Sequence, residues 1–180
     1  EFTHVTKLEP NKVYIDDKVE EFDWVFDARG LGAKEHFKDL RGVRGEVFWL
    51  ETKEINITRP TRMLHPRYKI YIVPRENGCE GMELDHCKDC KISQTTGTKR
   101  YIVGATQIES EDNSPVSVRS TLELMSAVFA MHPNFGEARI VNTQTNSRPA
   151  FKDNLPRIEN EKGLTRINGL YRHGYLLAPA

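Results

Sequence analysis

Two arginines and one tyrosine stand where they could hold a small carboxylate. Arg148 lies in the run Asn-Ser-Arg-Pro, and Arg172 lies in Tyr-Arg-His-Gly. A guanidinium presents a planar fork of N–H groups that matches a carboxylate bidentately, so either arginine could orient an amino or imino acid. Tyr71, within a strand-like run, could add a phenol donor. By residue type alone, a structural role is the more common one for each of the three.

A second group of chemically capable residues lies between positions 79 and 90. Cys87 and Cys90 have the Cys-x-x-Cys spacing that clasps zinc, and Cys79 could give a third thiolate. A second Cys-x-x-Cys is missing, however, and His86 next to Cys87 makes a cramped fourth ligand. The pattern therefore leaves two interpretations open, a structural zinc site and a metal-free insertion. The histidines are scattered and have no partner Ser or Cys motif, so no nucleophilic triad is indicated.

Glycines offer a third kind of site, because a chain without a side chain can approach a ligand closely. Gly30, Gly32 and Gly45 could serve in this way, although glycines in turns are more common. The run Gly30-Leu31-Gly32 is only a fragment of the phosphate-binding Gly-x-Gly-x-x-Gly signature, and the complete signature is absent from these 180 residues.

Composition excludes several classes of function. The 26 basic and 26 acidic residues give a net charge of zero, and no basic stripe is present, which argues against nucleic-acid binding. No apolar run reaches the roughly 18 to 20 residues that cross a bilayer. The N-terminus has no signal-peptide pattern, and three clustered cysteines do not make a disulfide framework, so we expect a cytoplasmic protein. The missing initiator Met and the apolar last residues suggest a piece of a longer chain.

The predicted elements that would position these residues are mainly strands. A polar stretch at about 77–99 is far longer than the two to five residues of a tight hairpin, so it reads as an insertion between two paired strands. The predicted strands are residues 13–15, 22–27, 42–50, 55–59, 68–73, 100–106, 138–143 and 164–170. Many strands without regular alternation with helices indicate an α+β fold with a mainly antiparallel β-sheet and flanking helices.

One helix is predicted over residues 116–131. Ser114 would be its N-cap, Pro115 its first residue and Pro133 its terminator. Its apolar stripe at helical period predicts the face that packs on the sheet. The stripe consists of Val118, Leu122, Met125 and Phe129.

Four stretches, in this order, resemble the D-amino-acid oxidase superfamily, and most closely the glycine oxidases of thiamine biosynthesis. They are FDARGLGA at 26–33 with LRGVRGE at 40–46, YIVPR at 71–75 with YIVGAT at 101–106, SRP at 147–149 with DNLP at 153–156, and GLYRHGYLLAP at 169–179. The resemblance covers nearly the whole chain except the insertion. Any one stretch is a weak signal, but the ordered set is specific.

The resemblance implies an FAD-dependent amino acid oxidase. Such an enzyme takes the α-hydrogen of a small amino acid as hydride onto the flavin, which dioxygen then reoxidises with release of hydrogen peroxide. Arg148 would clamp the substrate carboxylate with help from Tyr71, and Arg172 would lie near the substrate and the flavin ring. The residues that would line the cofactor are Gly30, Leu31, Gly32, Gly45, Gly169, Tyr171, Arg172, His173, Gly174, Tyr175 and Leu176.

Residues 1–45 would then belong to the flavin side, and residues 46–180 would form the substrate-binding domain. The departures from the family pattern matter: the pyrophosphate-binding segment is missing, the insertion has no counterpart, and Gln107 replaces an apolar residue. On this basis we expect the 180 residues alone to be inactive and not to bind FAD. The sequence leaves open whether the protein forms homo-oligomers. Two alternatives stay open, a non-catalytic oxidase-like module that binds zinc and an oxidase of secondary amines such as sarcosine.

Overall fold

The computed structural model describes residues 4–16, 18–65, 70–75 and 97–172. The chain divides into two compact units, the first made of residues 1–43 and 147–180 and the second of residues 44–146. The predicted division into a flavin side, residues 1–45, and a substrate-binding domain, residues 46–180, stays a prediction. Residues 147–180, which the sequence-based division placed in the second part, group instead with the first unit. They do so because strand Leu164–Asn168 pairs with strand Val25–Asp27.

The first unit begins with a three-stranded antiparallel sheet. Its strands are β1 (Val5–Glu9), β2 (Lys12–Ile15) and β3 (Lys18–Glu21), in the order β1-β2-β3. Asn11, at the β1–β2 turn, has a positive φ of 64°. Its side-chain amide donates to the backbone oxygens of Phe22 and Asp23, so one turn residue also fixes the chain that leaves β3.

A second sheet of the first unit contains a pair of parallel strands. Its members are β4 (Val25–Asp27), β10 (Arg157–Glu161) and β11 (Leu164–Asn168), in the order β10-β11-β4. β10 and β11 form an antiparallel hairpin, whereas β11 runs parallel to β4 with Leu164 opposite Val25. A short 3-10 helix, Gly30–Ala33, follows β4. Beneath it lies a small apolar cluster of Ala33, Phe37, Leu40 and Phe151, with Leu31 packed against it.

A five-stranded antiparallel sheet organises the second unit. Its order is β6-β7-β8-β5-β9, and its strands are β5 (Arg41–Thr52), β6 (Thr61–Arg62), β7 (Tyr71–Arg75), β8 (Lys99–Gly104) and β9 (Arg139–Ala150). The first residues of β5 and the last residues of β9 belong to the first unit. The predicted pairing of the strands on either side of the insertion is confirmed, with Ile72 opposite Val103.

One face of this sheet packs on the single α-helix of the described chain, α1 (Val118–Met131). Successive side chains of a strand point to opposite faces, so alternate residues of β5, β7 and β8 form the core. The buried core residues are Phe48, Leu50, Ile72, Tyr101 and Val103 from the strands and Leu124, Ala127 and Val128 from the helix. Among the described helices, none is long and apolar enough to cross a membrane.

The predicted packing face of the helix is correct for Met125, which packs against the core, and wrong for the other three residues. Val118, Leu122 and Phe129 are 78%, 65% and 56% exposed, while Ser120, Leu124, Ala127 and Val128 are the buried residues. The helix carries two apolar stripes, and the stripe with the smaller residues lies against the sheet because it lets the helix approach more closely.

The N-cap also lies later than predicted. The Oγ atom of Ser117 accepts from the Ser120 N–H at 3.1 Å, whereas the Oγ atom of Ser114 donates to Asp112. The predicted strand at 55–59 is absent, although Ile55 is buried and its carbonyl accepts from the Tyr101 hydroxyl at 2.7 Å. The α+β class with mainly antiparallel sheets is confirmed.

Candidate functional site

Two glycine turns of the first unit lie at the carboxyl ends of adjacent parallel strands. Gly30 follows β4 with a φ of 59°, and Gly169 follows β11 with a φ of 77°. These conformations strongly favour glycine, because a Cβ atom strains the backbone at positive φ. Since β4 and β11 are parallel neighbours, both turns lie at the same edge of the sheet. Sheets of this kind bind ligands outside the carboxyl ends of their strands.

Asn168 joins the two turns. Its side-chain amide donates to the carbonyl of Gly30 at 2.8 Å, and its side-chain oxygen accepts from the N–H of Gly169 at 2.8 Å. Asn168 is only 3% exposed, so both hydrogen bonds are shielded from water. Asn168 was not predicted from the sequence. The signal that could have found it is an Asn immediately before a glycine at the end of a strand.

The end of β9 supports both turns from below. A Cβ atom built on Gly30 would lie 3.5 Å from the Pro149 ring, which is ordinary contact. A Cβ atom on Gly169 would lie 2.4 Å from the Phe151 ring, so no side chain fits there. Arg157 stacks on the Phe151 ring at 4.0 Å from its centroid and pairs with Asp39 at 2.7 Å. Gly169 is therefore fixed both by its backbone conformation and by the packing of Phe151.

A buried ion pair marks the end of β4. The two carboxylate oxygens of Asp27 accept from Nε and Nη2 of Arg29, each at 3.0 Å, and one also accepts from the Arg29 backbone N–H at 3.2 Å. Asp27 is 2% exposed, whereas the Arg29 side chain is 27% exposed. Burial alone would raise the pKa of Asp27, but the hydrogen bonds and charge of Arg29 outweigh it and hold the pKa below its usual value. The sequence analysis missed this pair too.

The other predicted site residues of the first unit lie on the segments that flank the glycine turns. Arg148 is half-buried near the end of β9, directly before Pro149. Leu31 packs on the apolar cluster below the 3-10 helix, and Gly32 within that helix is exposed. Tyr171 donates its backbone N–H to the Gly169 carbonyl at 2.7 Å. Arg172 is exposed, with its guanidinium 5.5 Å from the centroid of the Tyr171 ring.

Tyr71 belongs to the second unit, at the start of β7 and opposite Gly104 of β8. It is 37% exposed and lies on the sheet face away from α1. A Cβ atom on Gly104 would lie 3.1 Å from the Tyr71 hydroxyl oxygen and 2.6 Å from Cγ1 of Val47. Gly104 therefore leaves the space that the phenol ring occupies across the sheet.

Gly45 also belongs to the second unit, where it is buried within β5 between Arg44 and Glu46. Arg44 pairs with Glu46 at 2.6 Å and also donates to the carbonyls of Asp112, Ser114 and Pro115. The Oε2 atom of Glu46 is buried without a hydrogen-bond partner among the described residues. These contacts account for Gly45 as part of a buried strand, and its predicted cofactor role stays a prediction.

The remaining predicted residues lie outside the described residues. They are His173, Gly174, Tyr175 and Leu176 of the predicted cofactor segment and Cys79, His86, Cys87 and Cys90 of the alternative zinc site. Within residues 4–16, 18–65, 70–75 and 97–172, no group of three or more His, Cys, Asp or Glu side chains is placed to hold a metal ion.

The first unit fits the flavin cofactor implied by the sequence. Two glycines at one sheet edge allow the backbone to approach a ligand closely, and their positive φ values are fixed by Asn168 and by the packing of Phe151. The partly exposed guanidinium of Arg29, whose charge is paired with that of Asp27, adds N–H donors beside the first turn. The groups that would hold an anionic dinucleotide there are thus backbone atoms and one cation.

Comparison with known proteins agrees with this fit. A protein of Rhizobium etli named as a thiamine biosynthesis oxidoreductase, ThiO, is 46% identical over 158 residues, which are 88% of this chain and 42% of that protein. The glycine oxidase of Bacillus cereus has a similar fold, with a TM-score of 0.68, 23% identity, and coverage of 98% of this chain and 46% of that one. The iminodiacetate oxidase of Chelativorans sp. gives a TM-score of 0.65 at 19% identity, with 95% and 44% coverage.

The chain spans less than half the length of these relatives. Because both solved structures are less than 25% identical to this chain, their similarity is evidence for the fold alone. The whole chain, residues 1–180, matches the sequence model of the family described as FAD dependent oxidoreductase. The ordered motifs, the glycine turns and this match agree, and the chain belongs to the FAD-dependent oxidoreductase family.

Proposed function

We propose that the full-length enzyme containing this chain oxidises glycine, or a similar small amino acid, to the imine and reduces dioxygen to hydrogen peroxide. Glycine follows from the resemblance to the glycine oxidases of thiamine biosynthesis, and the relative named as a thiamine biosynthesis oxidoreductase supports it at 46% identity. The structural observation that carries the proposal is Tyr71, whose phenol group is presented over Gly104 on a partly exposed sheet face.

Tyr71 supplies a donor for the substrate carboxylate. It is partly exposed, and its hydroxyl oxygen lies next to Gly104. A phenol O–H can donate to a carboxylate oxygen, and such a charge-assisted bond is stronger than a neutral one. The absence of a side chain at Gly104 keeps the ring in its position on β7.

Arg148 would supply a charge that binds the substrate carboxylate, as the family resemblance implies. It is half-buried near the end of β9, and its neighbour Pro149 packs beside the Gly30 turn. A half-buried guanidinium binds a carboxylate more strongly than an exposed one, because water screens the pair less. Arg172 follows the Gly169 turn and would lie near the substrate and the flavin ring, as the family resemblance implies.

FAD, when bound, supplies the redox chemistry: it accepts the α-hydrogen with its electron pair and passes two electrons to dioxygen. The glycine nitrogen must lose a proton to become the neutral amine before this transfer, and the imine keeps its carboxylate. Because the carboxylate does not change, the residues of this chain contribute by binding and orienting the substrate. Holding the Cα–H bond at a fixed position is worth a large part of such a barrier.

The test measures the steady-state oxidation of a panel of amines by the purified full-length enzyme. The rate of hydrogen peroxide release is the readout. We expect glycine to give the highest kcat/KM in a panel with sarcosine, iminodiacetate and D-alanine. Preference for sarcosine or iminodiacetate would assign the enzyme to secondary amines, and no peroxide with any amine would reject an oxidase function.

The arginine is tested by Arg148→Leu. Loss of a charged hydrogen-bonding partner, worth about 1.5 to 3 kcal/mol, should raise the KM for glycine by about 10 to 100-fold. Arg139→Leu is the matched control, because Arg139 lies on the same strand and is exposed. Equal KM values for the two variants would remove Arg148 from the substrate site.

A further inference from the structure

Arg29 is held in one orientation at the carboxyl end of β4. Both of its contacts with the Asp27 carboxylate are 3.0 Å long, and Asp27 is almost fully buried. A bidentate pair of this kind fixes the plane of the guanidinium as well as its position. The side chain therefore has little freedom left, and its outer edge points in a direction set by Asp27.

That outer edge still has hydrogen-bonding capacity. A guanidinium has five N–H donors, and Asp27 takes one from Nε and one from Nη2. The hydrogen bonds of this guanidinium go to Asp27, and the negative charge of Glu35 is close enough to act on it. The side chain is 27% exposed, so the remaining N–H groups are accessible to a ligand.

The location of Arg29 suggests which ligand it binds. Arg29 directly precedes Gly30, the first of the two glycine turns at the carboxyl ends of β4 and β11. The cofactor of the family is a dinucleotide whose pyrophosphate carries two negative charges, and an oriented guanidinium matches phosphate oxygens well. We propose that Arg29 binds a phosphate oxygen of FAD, with Asp27 as the positioning residue that orients it.

A purely structural ion pair is the competing explanation. It would stabilise the turn after β4 and have no specific effect on the cofactor. Removal of Arg29 leaves the buried Asp27 carboxylate without its partner, so both explanations predict a less stable apoenzyme. They differ in one measurable respect, because only a ligand-binding arginine makes the affinity of the folded apoenzyme for FAD depend on Arg29. The proposal rests on the family's cofactor and does not depend on which amine is oxidised.

The experiment compares Arg29→Gln with Arg166→Gln in the full-length enzyme. Arg166 lies opposite Asp27 on the neighbouring strand β11 and pairs with Glu161 at 2.5 Å. Its charge also acts on Asp27, so Arg166→Gln removes a positive charge near Asp27 without removing the guanidinium at the Gly30 turn. The apoenzymes are titrated with FAD to obtain Kd, their unfolding temperatures are measured, and the KM for the amine is measured at saturating FAD.

We expect the Kd for FAD to rise about 10 to 100-fold in Arg29→Gln and less than about threefold in Arg166→Gln, as follows from losing one charged hydrogen bond. The KM for the amine should stay unchanged. An unchanged Kd would overturn the proposal. A raised KM with an unchanged Kd would also overturn it, since Arg29 would then bind the substrate carboxylate.

Arg29→Lys covers the case in which the glutamine variant does not fold. Lysine keeps the charge but lacks the planar fork, so it cannot hold Asp27 at two points and reach a phosphate as well. We expect an FAD affinity clearly below that of the wild type with an unfolding temperature close to it, and wild-type affinity would contradict the proposal. Failure of the wild-type enzyme to oxidise any amine, with Kd still dependent on Arg29, would reject the proposed function alone.

Discussion

Replacing Gly104 by alanine tests whether the space beneath Tyr71 is needed for substrate binding. The new Cβ atom would lie 2.6 Å from Cγ1 of Val47, 3.1 Å from the Tyr71 hydroxyl oxygen and 3.3 Å from Cζ of Tyr71. Ordinary contacts between carbon atoms are about 3.5 to 4.0 Å long, so Val47 must move by about 1 Å and the phenol by a few tenths of an ångström.

The cost of Gly104→Ala can be worked out from these distances. Overpacking of this size costs about 1 to 3 kcal/mol, and the lower entropy of the unfolded chain returns about 0.4 to 1 kcal/mol. We therefore expect the free energy of unfolding to fall by about 0 to 2.6 kcal/mol. The KM for glycine should rise several-fold because the phenol is displaced, while kcat changes less.

Two second-site variants separate these effects. Val47→Ala removes the closest clashing atom, so Gly104→Ala should cost less stability in that background while the rise in KM remains. Tyr71→Phe removes the hydroxyl, so Gly104→Ala should raise KM less there. Chemical denaturation and peroxide-coupled kinetics on the full-length enzyme measure both quantities. Wild-type stability and wild-type KM in Gly104→Ala, or recovery of KM by Val47→Ala, would refute the reasoning.

Two further predictions concern stability. Asp27→Asn should lower the free energy of unfolding at pH 7 by about 1 to 3 kcal/mol, because the Arg29 guanidinium loses its charged partner. The folded-state pKa of Asp27 is lowered, so its contribution is complete above its unfolded pKa of about 3.9 and is lost as pH falls through the folded value. Acid titration of unfolding checks this, and a difference that already shrinks between pH 7 and pH 5 would contradict it. Ser117→Ala should lower the free energy of unfolding by about 1 kcal/mol, because it removes the side-chain acceptor for the Ser120 N–H. Ser114→Ala should lower it less. Denaturant unfolding measures both variants, and a larger loss in Ser114→Ala would support Ser114 as the N-cap.

The strands that could be predicted are those that bury a regular pattern of β-branched and aromatic residues. β5 and the β7–β8 pair were found because alternate residues such as Phe48 and Leu50 contact the helix. β3 and β10 were missed because most of their residues are exposed and polar, so the sequence carries no burial signal. The parallel pairing of β4 with β11 joins residues about 140 positions apart, which no local pattern reveals.

The helix shows a different limit of sequence reasoning. Its length and its apolar period were both visible, but two stripes satisfied the period, and large residues made the exposed stripe look more hydrophobic. Leu124, Ala127 and Val128 pack on the sheet because small side chains permit close approach, and that depends on the partner surface. The sequence alone cannot choose between two stripes when the shape of the partner decides.

Only some residues of the candidate site could be predicted from the sequence. The glycines after β4 and β11 were predicted through a family resemblance, since residue types alone left them as ordinary turns. Asp27, Arg29 and Asn168 were not predicted, because their importance lies in hydrogen bonds across the first unit. Arg148 and Tyr71 were chosen by residue type and resemblance, and their roles rest on the kinetic experiments above.

Asn168 has a consequence for the energetics of cofactor binding. Because one buried side chain bonds the backbone of both glycine turns, the two loops hold their relative position without any ligand. The conformational entropy of ordering them is thus lost during folding and does not weaken the subsequent association. Such preorganisation favours tight binding of a rigid ligand, and it makes the sheet edge poorly adapted to molecules of a different shape.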